Sequence, residues 1–411
     1  MRPTFFPLRD AIVTQQVLQR VTDGALIAFA LFAVVSLSLM QAAYILAVTA
    51  WMLRLYLQDH DRQVRLPLLV PVCSFALASL LATLTAIAPY QSLVELRNVL
   101  EVTLFYLVLN TVTEERAITL THILIVAGTV MALYGLSQAV VMGTAFRIHG
   151  TLGAYITFAN LLMLLGIMTL AYLLCTGITR QLLWLIPAFG ALTAALLMTH
   201  TRGSWLGFIA GIAVVVGLCQ KRLLLLLPPL LLIVFLLIPQ AVQERIYSIV
   251  DPQNVTVQTR LCKWRLAWNM IQAHPWTGVG MHNIQPVYLA YKDPQDPVSC
   301  GDRRLGHLDN NLLQIAVERG LLGLACWLSI WIAYLRHVCS TYRGLSAQAS
   351  QAKALVISSL ASVVGFHVAG CFEYTYGDAE IITPVYFLMA LPFLVSTRQT
   401  PPPAAHRAAA A

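Results

Sequence analysis

Residues 222–239 read RLLLLLPPLLLIVFLLIP, and the chain then turns polar over residues 240–274, QAVQERIYSIVDPQNVTVQTRLCKWRLAWNMIQAH. The first stretch is close to the roughly 20 apolar residues that a helix needs to cross the hydrocarbon of a bilayer. Its Pro228 and Pro229 are tolerated there as a kink. The second stretch carries too many amides and charges to lie in lipid. Side by side, they predict a chain embedded in a membrane and interrupted by one long water-facing segment.

Outward from that junction the apolar pattern repeats. Spanning runs are predicted near 24–39, 41–57, 67–88, 94–112, 119–142, 153–176, 181–199, 204–219, 222–239, 312–335, 354–371 and 380–397, with a weak break around Gln41 between the first two. The expectation is an all-α polytopic membrane protein with about twelve transmembrane helices. Residues 1–239 would hold nine of them, 240–311 an outer loop with short interfacial helices, 312–397 the last three, and 398–411 a disordered cytoplasmic tail. Composition agrees: 58% of the 411 residues are hydrophobic and 11% are charged. A soluble protein carries about 25% charged residues. The net charge of +8 would suggest nucleic acid in a soluble chain. Here it reads as Lys and Arg held at cytoplasmic loops, so no nucleic-acid partner is expected. The N-terminal MRPTFFPLRD leads into apolar sequence without a small-residue cleavage site, which reads as a retained anchor.

With the N-terminus inside, cytoplasmic ends hold Arg20, Arg54, Arg116, Arg180, Lys221, Arg222, Arg336 and Lys353. The short outer loops hold Arg147 and Arg202 alone. A basic group at the outer face runs against the positive-inside bias, so an anion there is the expected reason for it; a local salt bridge or lipid headgroups are the alternative. Six of the eight cysteines lie in or beside apolar runs and read as small core residues. Cys262 and Cys300 share the outer loop and could be bridged in an oxidising compartment.

In the outer loop, Ile246, Ile249 and Val250 form one short apolar stripe, and Leu261, Trp264, Leu266, Trp268 and Ile271 another. Arg260, Lys263 and Arg265 interleave with the second, as in a helix at a membrane surface. Guanidinium forks there would suit a lipid-linked diphosphate, because they bind phosphate oxygens two at a time. The following HPWTGVGMHN, residues 274–283, is a helix stop and tight turn around Pro275, Gly278 and Gly280. In RRLGHLDNNLLQIAVERGLLGL, residues 303–324, Asp309 or Asn310 caps an apolar helix and His307 sits at its mouth. With an ordinary pKa of about 6.5, a histidine there can act as a general base. Glu318 and Arg319 could pair within the bundle, and Glu373 could orient an arginine or His307. No DxD-type or paired-carboxylate site is evident, so neither metal nor other cofactor is invoked.

THTRGSWLG around Arg202, the span from Trp264 through HPWTGVGMHN, and HLDNNLLQIAVERGLLGL after His307 resemble the O-antigen ligase and polymerase superfamily, most nearly its bacterial O-antigen ligases. The sharp motifs cover about 145–210 and 255–325. The resemblance implies a GT-C-like, metal-independent glycosyltransferase of the bacterial inner membrane. Both termini would be cytoplasmic and the active site periplasmic. It also implies a donor glycan on undecaprenyl diphosphate and an acceptor hydroxyl on lipid A–core oligosaccharide. Arg202 and Arg265 match the family's essential arginines, His307 its essential histidine, and Arg147 a less securely placed basic position. Where members often read HSHN, this chain has HLDN, which leaves the roles of His307's neighbours open. Polymerases tend to have two large outer loops and protein O-oligosaccharyltransferases a longer C-terminal part; both remain alternatives within the chemistry. A lipid or solute transporter is the alternative outside it. Its charges would be expected midway along broken helices.

Overall fold

The computed structural model describes residues 8–57, 63–177, 180–247, 255–293, 306–346 and 348–395. In chain order the α-helices are α1 Leu8–Phe32, α2 Leu37–Leu57, α3 Leu69–Leu84, α4 Pro89–Glu95, α5 Thr103–Thr111, α6 Glu114–Met142, α7 Tyr155–Thr176 and α8 Leu185–Met198. They continue as α9 Arg202–Cys219, α10 Leu227–Leu237, α11 Gln240–Tyr247, α12 Val255–Ala273, α13 Ile284–Tyr291, α14 Asn311–Gly344, α15 Ser350–Ala369 and α16 Ala379–Leu394. No strand occurs among the described residues. Six helices, α2, α6, α7, α9, α14 and α15, are long and apolar enough to cross a membrane, and α3, α8 and α16 are shorter apolar helices. The regular structure of the described residues is all-helical, and its apolar helices mark a membrane protein.

The centre of the bundle is apolar on every side. Residues Ile381 to Phe393 of α16 are all buried, as are Thr157 to Thr169 of α7, and α15 packs against α7 and α9. A helix apolar all round must be buried or face lipid. The outer helices do the latter: α3 exposes Val70, Leu77 and Leu84, and α6 exposes Val126, Val130, Leu133 and Val140. Both rows keep the spacing of a single helix face, and in water such a face would cost about 25 cal/mol per Å².

Several boundaries differ from those expected. The first break falls at residues 33–36, not at Gln41, which lies inside α2. The hydrogen bonds Ser36 N–H to Phe32 O and Met40 N–H to Ser36 O let Ser36 end one helix and begin the next. The run 94–112 is not one helix but α4, a 3₁₀ turn over Leu96–Val102 and α5. Glu95, Arg97, Asn98 and Glu101 crowd that turn, and Asn98 Nδ2 donates to Glu95 Oε2 at 2.8 Å. α14 runs on to Gly344, past the expected 335. The expected tail, 398–411, lies outside the described residues, as do Ile249 and Val250.

α14 is also broken near its N-terminal end, where Gly320 takes φ 68°. The turn 274–283 fills the break. Val279 N–H donates to Val317 O at 2.9 Å, Gly280 N–H to Glu318 O at 3.1 Å, and Leu321 N–H to Pro275 O at 2.7 Å. The turn thus supplies partners to both helical halves at the kink. A Cβ on Gly320 would overlap the Trp276 carbonyl, so only glycine fits. Beneath this junction Leu266, Met270, Val279, Ile284, Leu308 and Val317 form a second small core, which fastens α12 and α13 to α14.

Candidate active site

Arg202 is the first residue of α9 and is only 7% exposed. The preceding Thr201 makes no side-chain cap. The first N–H groups of α9 have no acceptor within their own helix and carry the positive end of its dipole. Gly203 lets the 372–373 segment close on this turn, since a Cβ there would stand 3.2 Å from both Phe372 Cβ and Glu373 Cγ. α12 crosses in front. Arg202, Gly203, Leu206, Val257, Arg260, Leu261, Trp264 and Phe372 enclose a cavity of about 150 Å³. In its wall Arg260 Nε and Trp264 Nε1 are buried donors without an acceptor.

Further basic groups converge there. The charges of Arg147, Arg245 and Arg260 all act on Arg202, as does the opposite charge of Glu373. Arg147 is held in place by its loop: His200 Nε2 donates to Thr144 O at 2.9 Å, Gln138 bonds the backbone of His149 and Gly150, and the Arg147 guanidinium lies 4.5 Å over the Tyr155 ring. Arg245 comes from α11; burial, and then Arg147, lower its pKa from the ordinary arginine value. Arg260 Nη2 pairs with Glu373 Oε1 at 2.8 Å. Burial pushes the Glu373 carboxyl up to about 7, against the pull of Arg260.

His307 does not line this cavity but is linked to its walls through α12 and the 370–378 loop. One turn along from Arg260, Lys263 Nζ pairs with Asp309 Oδ2 at 2.8 Å, two residues beyond His307. Next to Glu373, the Tyr374 ring lies 5.1 Å from the His307 ring at 37°. Asn310 Oδ1 accepts from Leu313 N–H at 3.0 Å and caps α14, while Asn311 side-chain atoms bond Thr375 and Tyr376 N–H groups. The His307 side chain is exposed, yet surrounding protein removes much of its hydration. That burial lowers its pKa below the ordinary value, Glu318 and Asp309 pull it back up, and Lys263 and His282 push it down. The result is an imidazole that stays neutral, and so able to accept a proton, at neutral pH.

Of the residues singled out in the sequence, Arg202 and Arg260 line one cavity, Arg147 acts on Arg202, and His307 is linked to the cavity walls through Lys263–Asp309 and Tyr374. Arg265 is not in the cavity wall. It shares the exposed face of α12 with Leu261 and Trp268, while Leu266 and Ile271 face inward, so the expected aromatic stripe divides between two faces. Cys262 is buried and disulfide-bonded, and Cys300 lies outside the described residues. Arg245 was not anticipated, although a basic residue beside Ile246 in the outer loop was a usable signal. Gln314, buried against Leu308, carried no signal short of the fold. Among the described residues no group of three or more His, Cys, Asp or Glu is placed to hold a metal ion.

No curated protein matches this chain. Residues 187–328 match the family described as O-antigen ligase. That match runs from α8 to the first half of α14 and takes in Arg202, Arg245, Arg260, Arg265 and His307. Over that stretch, about a third of its length, the chain is similar to the O-antigen ligase family.

Proposed function

We propose that this protein is an O-antigen ligase, an inverting glycosyltransferase that moves a glycan from undecaprenyl diphosphate to a lipid A–core acceptor. The reading goes with about twelve spans in a GT-C-like arrangement in the bacterial inner membrane and a periplasmic site. The disulfide at Cys262 supports an oxidising side for the outer segment. The observation that carries the proposal is the gathering of Arg202 and Arg260 around one cavity at the start of α9, with Arg147 and Arg245 acting on Arg202 and with His307 linked to the cavity walls through Lys263–Asp309 and Tyr374.

The chemistry follows from those groups. The diphosphate sits against the guanidinium groups and the α9 N-terminus. The His307 ring takes the proton from the acceptor hydroxyl as its oxygen attacks the anomeric carbon. The bond from that carbon to the diphosphate oxygen breaks, and the lipid diphosphate leaves with the electron pair. Charge grows on the leaving oxygens, so the arginines bind the transition state more strongly than the ground state. Attack opposite the leaving group inverts the anomeric centre. No step needs a metal ion.

Purified protein in detergent, given lipid-diphosphate-linked glycan and rough lipopolysaccharide without nucleotide, tests this. Glycan appearing on the lipopolysaccharide is the expected result. Lengthened lipid-linked glycan would instead make it a polymerase, and translocation without covalent transfer would make it a transporter.

A further inference from the structure

Gln314 is 1% exposed, one turn into α14, and its amide is used at both ends. Its Oε1 accepts from Leu308 N–H at 2.9 Å, and its Nε2 donates to Glu318 Oε1 at 2.8 Å. Glu318 Oε2 accepts from Arg319 Nη1 at 2.8 Å, and Oε1 also accepts from His282 N–H at 3.2 Å. Arg319 Nε in turn donates to Ser79 Oγ on α3 at 3.2 Å. The residue next to His307 is therefore tied through buried side chains to the 274–283 turn and to a neighbouring helix.

We propose that Gln314 is a positioning residue for His307, holding the 307–310 segment on the buried Glu318–Arg319 pair and so fixing where the imidazole stands. This rests on the reading of His307 as the proton acceptor. The choice of residue has a physical reason. A carboxylate can only accept, so the amide NH₂ must face Glu318, which leaves the amide oxygen for the backbone N–H of Leu308. Leucine, methionine or an ionised glutamate cannot do both. The groups facing His307 are Glu318 of α14, Asp309 of its own segment, Lys263 of α12, His282 of the 274–283 turn and the Tyr374 ring of the 370–378 loop. A shift of the segment moves the imidazole among all of them at once, and a displacement of about 1 Å can cost about 100-fold in rate.

Two variants test the proposal in the full-length protein, with thermal unfolding followed alongside. Gln314→Met keeps the volume and removes both hydrogen bonds. Its kcat for transfer should fall about tenfold or more while KM for the lipid-linked donor stays put, because the arginines are untouched. In Gln314→Glu, a protonated carboxyl can still donate to Glu318 and accept from Leu308. Its rate divided by that of Gln314→Met, which cancels the titration of His307, should therefore rise as pH falls. A wild-type kcat in Gln314→Met, or equal losses in kcat and donor affinity, would overturn the positioning role, as would a ratio that does not change with pH. If Gln314→Met does not fold, the glutamate variant is compared with wild type and the same rise is required. Failure of the underlying reading looks different: wild type would not transfer, or His307→Ala would transfer normally.

Discussion

Two charge clusters are linked to the segment that carries His307, and they are built in opposite ways. Glu318 and Arg319 are both buried, contact each other at 2.8 Å, and are further bonded by Gln314, His282 and Ser79. On the other side Arg147, Arg202, Arg245 and Arg260 repel one another around a cavity, and Glu373 is one carboxylate that acts on them. A buried charge is tolerated when it is paired and hydrogen-bonded. A crowd of like charges is retained when something else neutralises it. In the proposed function the first cluster belongs to the scaffold and the second to binding, and substitutions should separate them.

The largest expected effect lies between the two. His307→Ala should lower transfer by about 100- to 10,000-fold, the range for a positioned general base, while the lipid diphosphate still binds. Normal transfer by that variant would remove the proton acceptor from the scheme. Next, Glu318→Ala should destabilise the fold by about 3–5 kcal/mol by stranding Arg319, seen as a lower unfolding temperature in detergent. Arg260→Ala should leave that temperature nearly unchanged and weaken donor use. The reverse pattern would exchange the roles assigned to the clusters. Arg202→Lys should recover little of the activity lost in Arg202→Ala, falling short of wild type by about tenfold or more, because a point charge does not reproduce a planar fork. Full recovery would reduce the pocket to simple charge.

A smaller effect concerns pH. Burial holds the pKa of His307 below the ordinary range, so its neutral form persists to lower pH than a free histidine's. The acid limb of kcat/KM should therefore fall below about 6.5. Glu373, pushed up to about 7, complicates only the neutral region, where it gains its proton as pH drops and its hold on Arg260 weakens. Glu373→Gln should flatten that region and leave the limb below it in place, as measured by rate-against-pH profiles of the two proteins. The smallest effect is none: a chelator should not change the rate. Loss of rate restored by a divalent cation would contradict the metal-free mechanism.

Much of this was legible because lipid imposes simple rules. The charge deficit and the spaced apolar runs announce a helical membrane protein, and Arg147 and Arg202 stand out as basic residues against the expected sidedness. Local chemistry also read well at Asn310, one of two expected caps, which caps α14. What stayed hidden depends on partners distant in sequence. HPWTGVGMHN looks like a plain turn until Gly320, some 40 residues on, opens the helix that it fills. Leu266 and Trp268 look equivalent on α12 until packing buries one and exposes the other. Gln314 looks like any polar residue in an apolar helix. Its value comes from Leu308 on one side and Glu318 on the other.

Binding of undecaprenyl diphosphate to the detergent-solubilised protein, read by titration at two salt concentrations, tests the central claim most directly. Wild type and His307→Ala should bind alike and more weakly at high salt, while a protein carrying both Arg202→Ala and Arg260→Ala should lose binding. Undiminished affinity in that double variant would place the lipid diphosphate somewhere else and contradict the account.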